Sequence, residues 1–437
     1  NDMLQMVALR SKVSSFLLFS TAVPRAASFY RKDVFVIPPR SVSKWTAVIR
    51  GFSNDGSQNE LRHSVATGDW VVFSPSRRNR PKQVQKESAS PVIKTSTHPS
   101  HDPSCPFCMG NEHRTPECVF QLGEGEDWKL RVVPNKYPVV SPYSRDDTSG
   151  KKITIGSTRA LQEANLNLAA VGYHEVIIET PVHNLCTADQ GLEGVQRLVA
   201  AWRQRGRFHL ENFEDLASMM FFKNQGKVAG ASLYHPHAQA VALPIVPQNL
   251  DGLFRTALHY FEHNGASVWE HTVHDELEGG ERVVDVNEHF VSYVPYAAKS
   301  PYYMRIVPLA NSPYFFETTD AQLAAFAEVL WRALRRLHLL LGEPDYNLNV
   351  FSSPLPRGPY AAHDPRVFYR WHAAITPRLG AGAMAGFEFG SGMFSNSAFP
   401  EDNAAELRAV DLLLGPTTSG SPSSSSSALD DHDGKKK

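Results

Sequence analysis

The sequence predicts an α+β fold of two tandem copies of one plan, each an antiparallel sheet with a helix packed on it. Three observations predict it. Short apolar runs closed by proline or asparagine read as strands. Two Thr-x-x-Gln capping boxes, Thr187–Gln190 and Thr319–Gln322, each open a helix. The order strand, turn, strand, capped helix, strand, loop, strand then occurs twice, as a tandem duplication requires.

The first copy is expected over residues 61–248. Trp70-Val71-Val72-Phe73 is a buried-type strand ended by Pro75. Trp128 to Val133 is a strand, Pro134-Asn135-Lys136-Tyr137-Pro138 a turn, and Gly172 to Thr180 the next strand. The first capped helix runs to about residue 205, and Met219 to Phe222 forms a strand. Lys223-Asn224-Gln225-Gly226 and Gly230-Ala231-Ser232 read as a small-residue loop. Tyr234-His235-Pro236-His237-Ala238-Gln239 then leads into the apolar strand Ala240–Pro244. The second copy, residues 249–412, repeats this. His289 to Val294 and Tyr303 to Val307 are strands, the second helix runs to about Leu341, and Tyr346 to Phe351 is a strand. Tyr369 to Pro377 stands where His235 to Pro244 stood, so the strand holding His372 answers the His-Pro-His-Ala-Gln strand and Asn311 answers His183, a match of pattern rather than of exact register.

With 437 residues, 42% of them hydrophobic, the chain is long enough for two or three domains or one large core. A formal net charge of −1 gives no support to a nucleic-acid binder. No apolar run has the length of a membrane span. Residues 1–60 are basic, with Arg10, Lys12, Arg25, Arg31, Lys32, Arg40, Lys44 and Arg50 against Asp2 and Asp33 in the first fifty. Such an acid-poor, Ser- and Arg-rich leader reads as a mitochondrial or plastid transit peptide, or else as a disordered basic tail on a cytoplasmic protein. Residues 413–437 are Ser-rich, then Asp-rich, then end on three lysines, a composition expected to be disordered.

Three stretches carry chemistry. Cys105-Pro106-Phe107-Cys108-Met109-Gly110 has the form of a metal knuckle, since both sulfurs reach one ion and glycine permits the turn. A redox pair is the rival, but it needs a strand before it and a helix opening at the first cysteine. Residues two apart on a strand share a face, so His235, His237 and Gln239 point one way. Two imidazoles and an amide suit a metal ligand, a nucleophile and a phosphate donor. The arginines Arg77, Arg78 and Arg80, directly after the first strand, suit phosphate or carboxylate.

These pieces together resemble the galactose-1-phosphate uridylyltransferase family of the histidine-triad superfamily. They are Trp70–Pro81, Cys-Pro-Phe-Cys-x-Gly, Arg131–Asn135, Pro181-Val182-His183, Lys223–Gly226, Gly230–Ser232 with His-Pro-His-Ala-Gln, Gly386–Gly390 and Phe399–Asp402. Within the family the loops around the histidines and the C-terminal motifs are similar to the plant type that phosphorolyses ADP-glucose. The resemblance implies two histidine-triad-like half domains and a structural zinc on Cys105, Cys108, His183 and His235. It implies His237 as nucleophile and Gln239 as donor to the nucleotidyl phosphate. Asn224 and the backbone of Gly230, Ala231 and Ser232 bind the same phosphate; Arg77, Arg80 and Asn135 serve the nucleotide; Phe387 and Glu388 face the sugar.

The implied activity is transfer of a nucleotidyl group through a nucleotidyl-histidine, from a nucleotide sugar to phosphate or a sugar phosphate, in a homodimer. ADP-glucose phosphorolysis is expected, with UDP-glucose–hexose-1-phosphate uridylyl transfer as the alternative. A histidine-triad-type hydrolase and a non-catalytic subunit of an organelle assembly are the further alternatives. A scaffold, however, has no need of a nucleophile. Relatives often hold a second metal in the second half. Here His271-x-x-His274 and the pair Asn311 and Arg370 stand at those places, and the asparagine and arginine are poor zinc ligands.

Overall fold

The structure is a computed structural model that describes residues 59–75, 98–142, 170–357, 360–379 and 385–412. The leader up to residue 58, the tail from residue 413, and Arg77, Arg78 and Arg80 lie outside the described residues.

The first copy consists of β3 (Phe120–Glu124), β4 (Asp127–Pro134), β5 (Tyr173–Ile178), α1 (Gly191–Asn212), β6 (Ser218–Gln225) and β7 (His237–Leu243). The second consists of β8 (Val283–Val286), β9 (Phe290–Tyr293), β10 (Met304–Pro308), α4 (Asp320–Leu341), β11 (Tyr346–Phe351) and β12 (His372–Pro377). All ten strands form one antiparallel sheet in the order β3-β4-β5-β7-β6-β11-β12-β10-β9-β8. Read inward from either edge the two halves follow the same path, and β6 pairs with β11 at the centre, so the duplication appears as an approximate two-fold relation. A small sheet of β1 (Glu60–His63), β2 (Trp70–Phe73) and β13 (Phe394–Asn396) lies apart from it.

Strand alternation divides the large sheet into two faces. Ala238, Ala240 and Ala242 of β7 point to the main core, where α1 and α4 pack through residues such as Leu198, Trp202, Phe326 and Leu330. On the opposite face the Cys105–Cys108 knuckle sits over β4 and β5, with Phe107 and Met109 against Trp128, Val133, Val176 and Ile178. In the second copy that face is covered by a helical hairpin, α2 (Gln248–Asn264) and α3 (Val268–Gly279), whose Phe254 and Trp269 pack on Tyr293, Val307 and Tyr369.

The second capping box forms as expected. Thr319 Oγ1 accepts the Gln322 N–H at 3.2 Å and Gln322 Oε1 accepts the Thr319 N–H at 3.1 Å. The first does not. Gly191 turns the chain with φ +70° and α1 starts there, so the Thr187 hydroxyl is released to donate to the Glu179 carboxylate at 2.7 Å. Two further expectations change. Lys223, Asn224 and Gln225 belong to strand β6, because β11 pairs with them. The segment holding His271 and His274 is helix α3.

Candidate functional site

The knuckle closes on itself through Asn111, whose amide donates to the Cys105 carbonyl at 2.8 Å, and through Gly110 at φ +88°. It is fastened to the sheet by Trp128 Nε1, which donates to Glu112 at 2.7 Å. This carries Cys105 and Cys108 to His183, just past β5, and His235, just before β7. The four ligand atoms all lie within 4.8 Å of one another. Cys108 Sγ is 3.4 Å from His183 Nδ1 and 3.6 Å from His235 Nδ1, and Cys105 Sγ is 3.7 Å from His235 Nδ1. A tetrahedral zinc with ordinary bond lengths sets an S···N edge of ~3.6 Å, so the donor set fits that ion.

The surroundings fit as well. His235 Nε2 donates to the Thr180 carbonyl at 2.7 Å, which leaves the Nδ1 lone pair facing the sulfurs. Backbone N–H groups of Phe107 and Asp102 point at the two sulfurs. Burial is the largest cause that pushes the Cys105 thiol up to about 11 and pulls His235 down to about 4. A cation bound among them would favour thiolate and neutral imidazole.

The β7 ladder begins at His237, so alternation places Gln239 beside it but does not reach His235, which sits in the bend before Pro236. His237 is buried, and its ring meets Phe107 edge-on at 5.4 Å. Its Nδ1 lies 2.8 Å from the His235 carbonyl oxygen. A carbonyl can only accept, so Nδ1 carries the proton and Nε2 keeps a lone pair. Burial, and secondarily the Lys223 charge, hold His237 below the ordinary imidazole value. Behind the strand lies a fully buried ion pair. Lys223 Nζ donates to Glu179 at 2.8 Å and to the His237 carbonyl at 3.2 Å, while Thr187 and Gln190 donate to the other Glu179 oxygen.

Gln239 and Asn224 lie on the same face as His237, since Phe222 of β6 pairs with Gln239. Gly230, at φ +91°, stands beside the Asn224 amide: a Cβ there would come within 3.8 Å of Asn224 Nδ2. Ala231 and Ser232 follow it. Asn135 ends β4 against His174, its Nδ2 3.1 Å from His174 Nε2. Phe387 is half exposed and Glu388 buried in the short helix α5 (Gly386–Ser391), where the Glu388 carboxylate accepts the Ala385 N–H. That helix packs on β13 of the small sheet. Sequence reasoning missed His174, Glu179, Lys223 and Asn347 around this face. A histidine and a lysine interrupting apolar strands were the available signals.

The places of the second metal are otherwise employed. His271 Nδ1 meets the Tyr260 hydroxyl at 2.6 Å, and His274 faces Glu278 on the helix surface. Arg370 donates to Asn311 Oδ1 at 2.7 Å and to the carbonyls of Pro308 and Leu309 at 3.1 and 2.9 Å. His372 is closed in between Trp269 and Phe351. One more cluster, Cys186, Asp189 and His338, is gathered among the described residues. Its thiol donates to Asp189, whose other oxygen is held by Arg335. Burial, and secondarily the Asp189 charge, push that thiol well above its ordinary value.

Residues 52–247 match the family model described as galactose-1-phosphate uridyl transferase, N-terminal domain. The chain is 31% identical over 364 residues to ADP-glucose phosphorylase of Arabidopsis thaliana, covering 83% of this chain and 96% of that one. It is 26% identical over 360 residues to galactose-1-phosphate uridylyltransferase of Thermotoga maritima, covering 81% and 99%. Among solved structures, the Arabidopsis ADP-glucose phosphorylase with bound ADP-glucose superposes with a TM-score of 0.65 at 29% identity, over 81% of this chain and all of that one. A uridylyltransferase does so at 0.57 and 26%, over 80% and 98%. The chain therefore belongs to the galactose-1-phosphate uridylyltransferase family, and with it to the hexose-1-phosphate nucleotidyltransferases.

Proposed function

We propose that the protein is an ADP-glucose phosphorylase working through His237. The observation that carries the chemistry is the hydrogen bond between His237 Nδ1 and the His235 carbonyl, because it leaves the Nε2 lone pair for phosphorus. His237 Nε2 attacks the α-phosphorus of ADP-glucose. The bond from that phosphorus to the bridging oxygen breaks, and glucose 1-phosphate leaves with the electron pair. Inorganic phosphate then attacks the adenylyl phosphorus, the P–N bond breaks, and ADP departs. Splitting one displacement into two suits an exchange between similar acceptors. Gln239, Asn224 and the backbone of Gly230, Ala231 and Ser232 offset charge on the transferred phosphate, and Asn135, Arg77 and Arg80 hold the nucleotide. Phe387 and Glu388 contact the sugar once a second chain completes the site.

Zinc is the ion for Cys105, Cys108, His183 and His235. With four protein ligands it leaves no open position and supplies rigidity rather than chemistry. The adenine and glucose specificity is supported by the Arabidopsis phosphorylase and its ADP-glucose complex. The UDP-hexose reading is the second one, supported by the uridylyltransferase relatives. Phosphate-dependent release of glucose 1-phosphate from ADP-glucose, set against hexose exchange with UDP-glucose, decides between them. Preference for the second pair overturns the phosphorylase reading.

A further inference from the structure

An amide can present either its oxygen or its nitrogen, and only the nitrogen can donate to a phosphate oxygen. Both amides expected to meet the phosphate therefore need something that fixes which end faces out. The hydrogen bonds behind them supply it, each starting from a backbone group of unambiguous polarity.

For Gln239 the chain of reasoning starts at Val139. Its N–H donates to His174 Nδ1 at 3.1 Å, so that nitrogen is unprotonated and Nε2 carries the hydrogen. His174 Nε2 lies 2.7 Å from Gln239 Oε1. A protonated ring nitrogen requires an acceptor there, which makes the facing atom oxygen and turns the NH2 outward. Asn135 also brings its NH2 to 3.1 Å from His174 Nε2, its Oδ1 being held by the Tyr137 N–H at 2.8 Å. Because the Val139 N–H already takes the Nδ1 lone pair, Nε2 carries the hydrogen and cannot accept from that NH2, and its 2.7 Å partner is the Gln239 oxygen.

For Asn224 the start is Ala229, whose carbonyl can only accept. Asn347 Nδ2 lies 2.9 Å from it, so the Asn347 amide has one allowed orientation. Its second hydrogen goes to Asn224 Oδ1 at 2.9 Å, which turns the Asn224 NH2 toward Gly230. Asn347 belongs to β11, which pairs with β6 across the junction of the two copies. The second copy, whose own histidine is closed in, thus sets a group in the first copy's site.

We propose that His174 and Asn347 are positioning residues that hold the Gln239 and Asn224 amides with both NH2 groups toward the transferred phosphate. The inference rests on the reading of those amides as phosphate donors. Asn347→Asp tests it most sharply, because the shape is kept and the donor is lost. A carboxylate at that place invites the Asn224 NH2 inward and turns its oxygen against the phosphate. Losing an oriented donor to a charged oxygen is worth on the order of 10²-fold in rate.

The expected result is a drop of that order in the rate of nucleotidyl-enzyme formation, carried by kcat with little change in KM. Zinc content stays at the wild-type value and the chain stays folded at the assay temperature, although the unpaired Ala229 carbonyl lowers the unfolding midpoint. Asn347→Ala is milder, since it leaves the amide free to turn. The ratio of Asn347→Asp to wild type rises as pH falls toward the carboxylate range, about 4, where a protonated acid donates again. His174→Phe gives the same kcat loss without the pH response. An Asn347→Asp rate equal to wild type, or one matched by alanine at every pH, overturns the proposal. Neutron diffraction on the resting protein reads the two amide orientations without any substrate. Deuterons of Gln239 or Asn224 facing His174 or Asn347 also overturn it, even if neither ADP-glucose nor UDP-glucose labels the enzyme. That absence of labelling would refute the nucleotidyl reading alone.

Discussion

Replacing Lys223 with methionine removes the cation of an ion pair that has no access to solvent. Lys223 is 1% exposed and Glu179 0%. The carboxylate keeps only the Thr187 hydroxyl at 2.7 Å and the Gln190 amide at 3.3 Å. Stripping one partner from a buried pair costs about 3–5 kcal/mol, because the other charge stays buried without compensation. At 1.4 kcal/mol per decade that is roughly a 10²- to 10⁴-fold fall in the folded-to-unfolded ratio. Glu179→Gln in the same chain keeps the shape and the two side-chain donors while removing the orphaned charge, so the double variant should recover much of the loss. The assay is urea unfolding of zinc-loaded protein, followed by fluorescence and far-ultraviolet circular dichroism, with all four corners of the double-mutant cycle measured. A Lys223→Met variant within about 1 kcal/mol of wild type refutes the reasoning. So does a double variant as unstable as the two single losses added together. The same lysine holds the His237 carbonyl, so the rate of nucleotidyl transfer should fall together with stability.

The remaining expectations concern the metal and the two copies. The protein should hold about one zinc per chain, and Cys108→Ser should lose both the metal and much of the stability, since ligation of this kind contributes on the order of 10 kcal/mol; folded, zinc-free protein by elemental analysis contradicts it. His237→Asn should retain zinc and fold yet take no label from radiolabelled ADP-glucose, whereas His235→Asn should lose metal and stability together; peptide mapping that finds label on His235 reverses the assignment. Arg370→Met should lower stability by roughly 2–4 kcal/mol through its orphaned carbonyls with zinc content unchanged; a wild-type unfolding midpoint speaks against the role given to that guanidinium.

Most of the large sheet was legible because its inner strands are apolar runs with clean stops, and because the same order recurs; the edge strands β3 and β8 were not read. The cysteine half of the metal cluster was legible because Cys-x-x-Cys followed by glycine has few other uses, whereas His183 and His235 came as ligands only with the family resemblance. The helical hairpin before β8 was not read. Its core positions Leu250, Phe254 and Ala257 have helical spacing, but no capping box announces the helix, and the histidines and acids around His271 and His274 gave the following segment the look of a charged loop. Thr187 carried a valid capping signal and lost to tertiary structure, since a buried carboxylate 8 residues earlier accepts its hydroxyl. The small sheet was hidden for a different reason: β2 and β13 pair in parallel across more than three hundred residues of chain, and a pairing that distant leaves no local pattern. Asn347 could not be found from the sequence at all. Its role depends on the register of β11 against β6, which only the assembled sheet defines.

The guanidinium of Arg370 stands in the second copy where the His235 imidazole of the Cys2His2 cluster stands in the first. Arg370 donates to the Leu309 carbonyl as His235 does to that of Thr180, and the ladder register puts the two pairs at equivalent places. Burial brings the Arg370 guanidinium down to about 10, so it remains cationic at neutral pH. With a metal bound, the first copy would be held by an ion acquired from outside, while the second is held by a cation encoded in the gene. Chelators or thiol oxidants should then act directly on the knuckle side of the β6–β11 seam only.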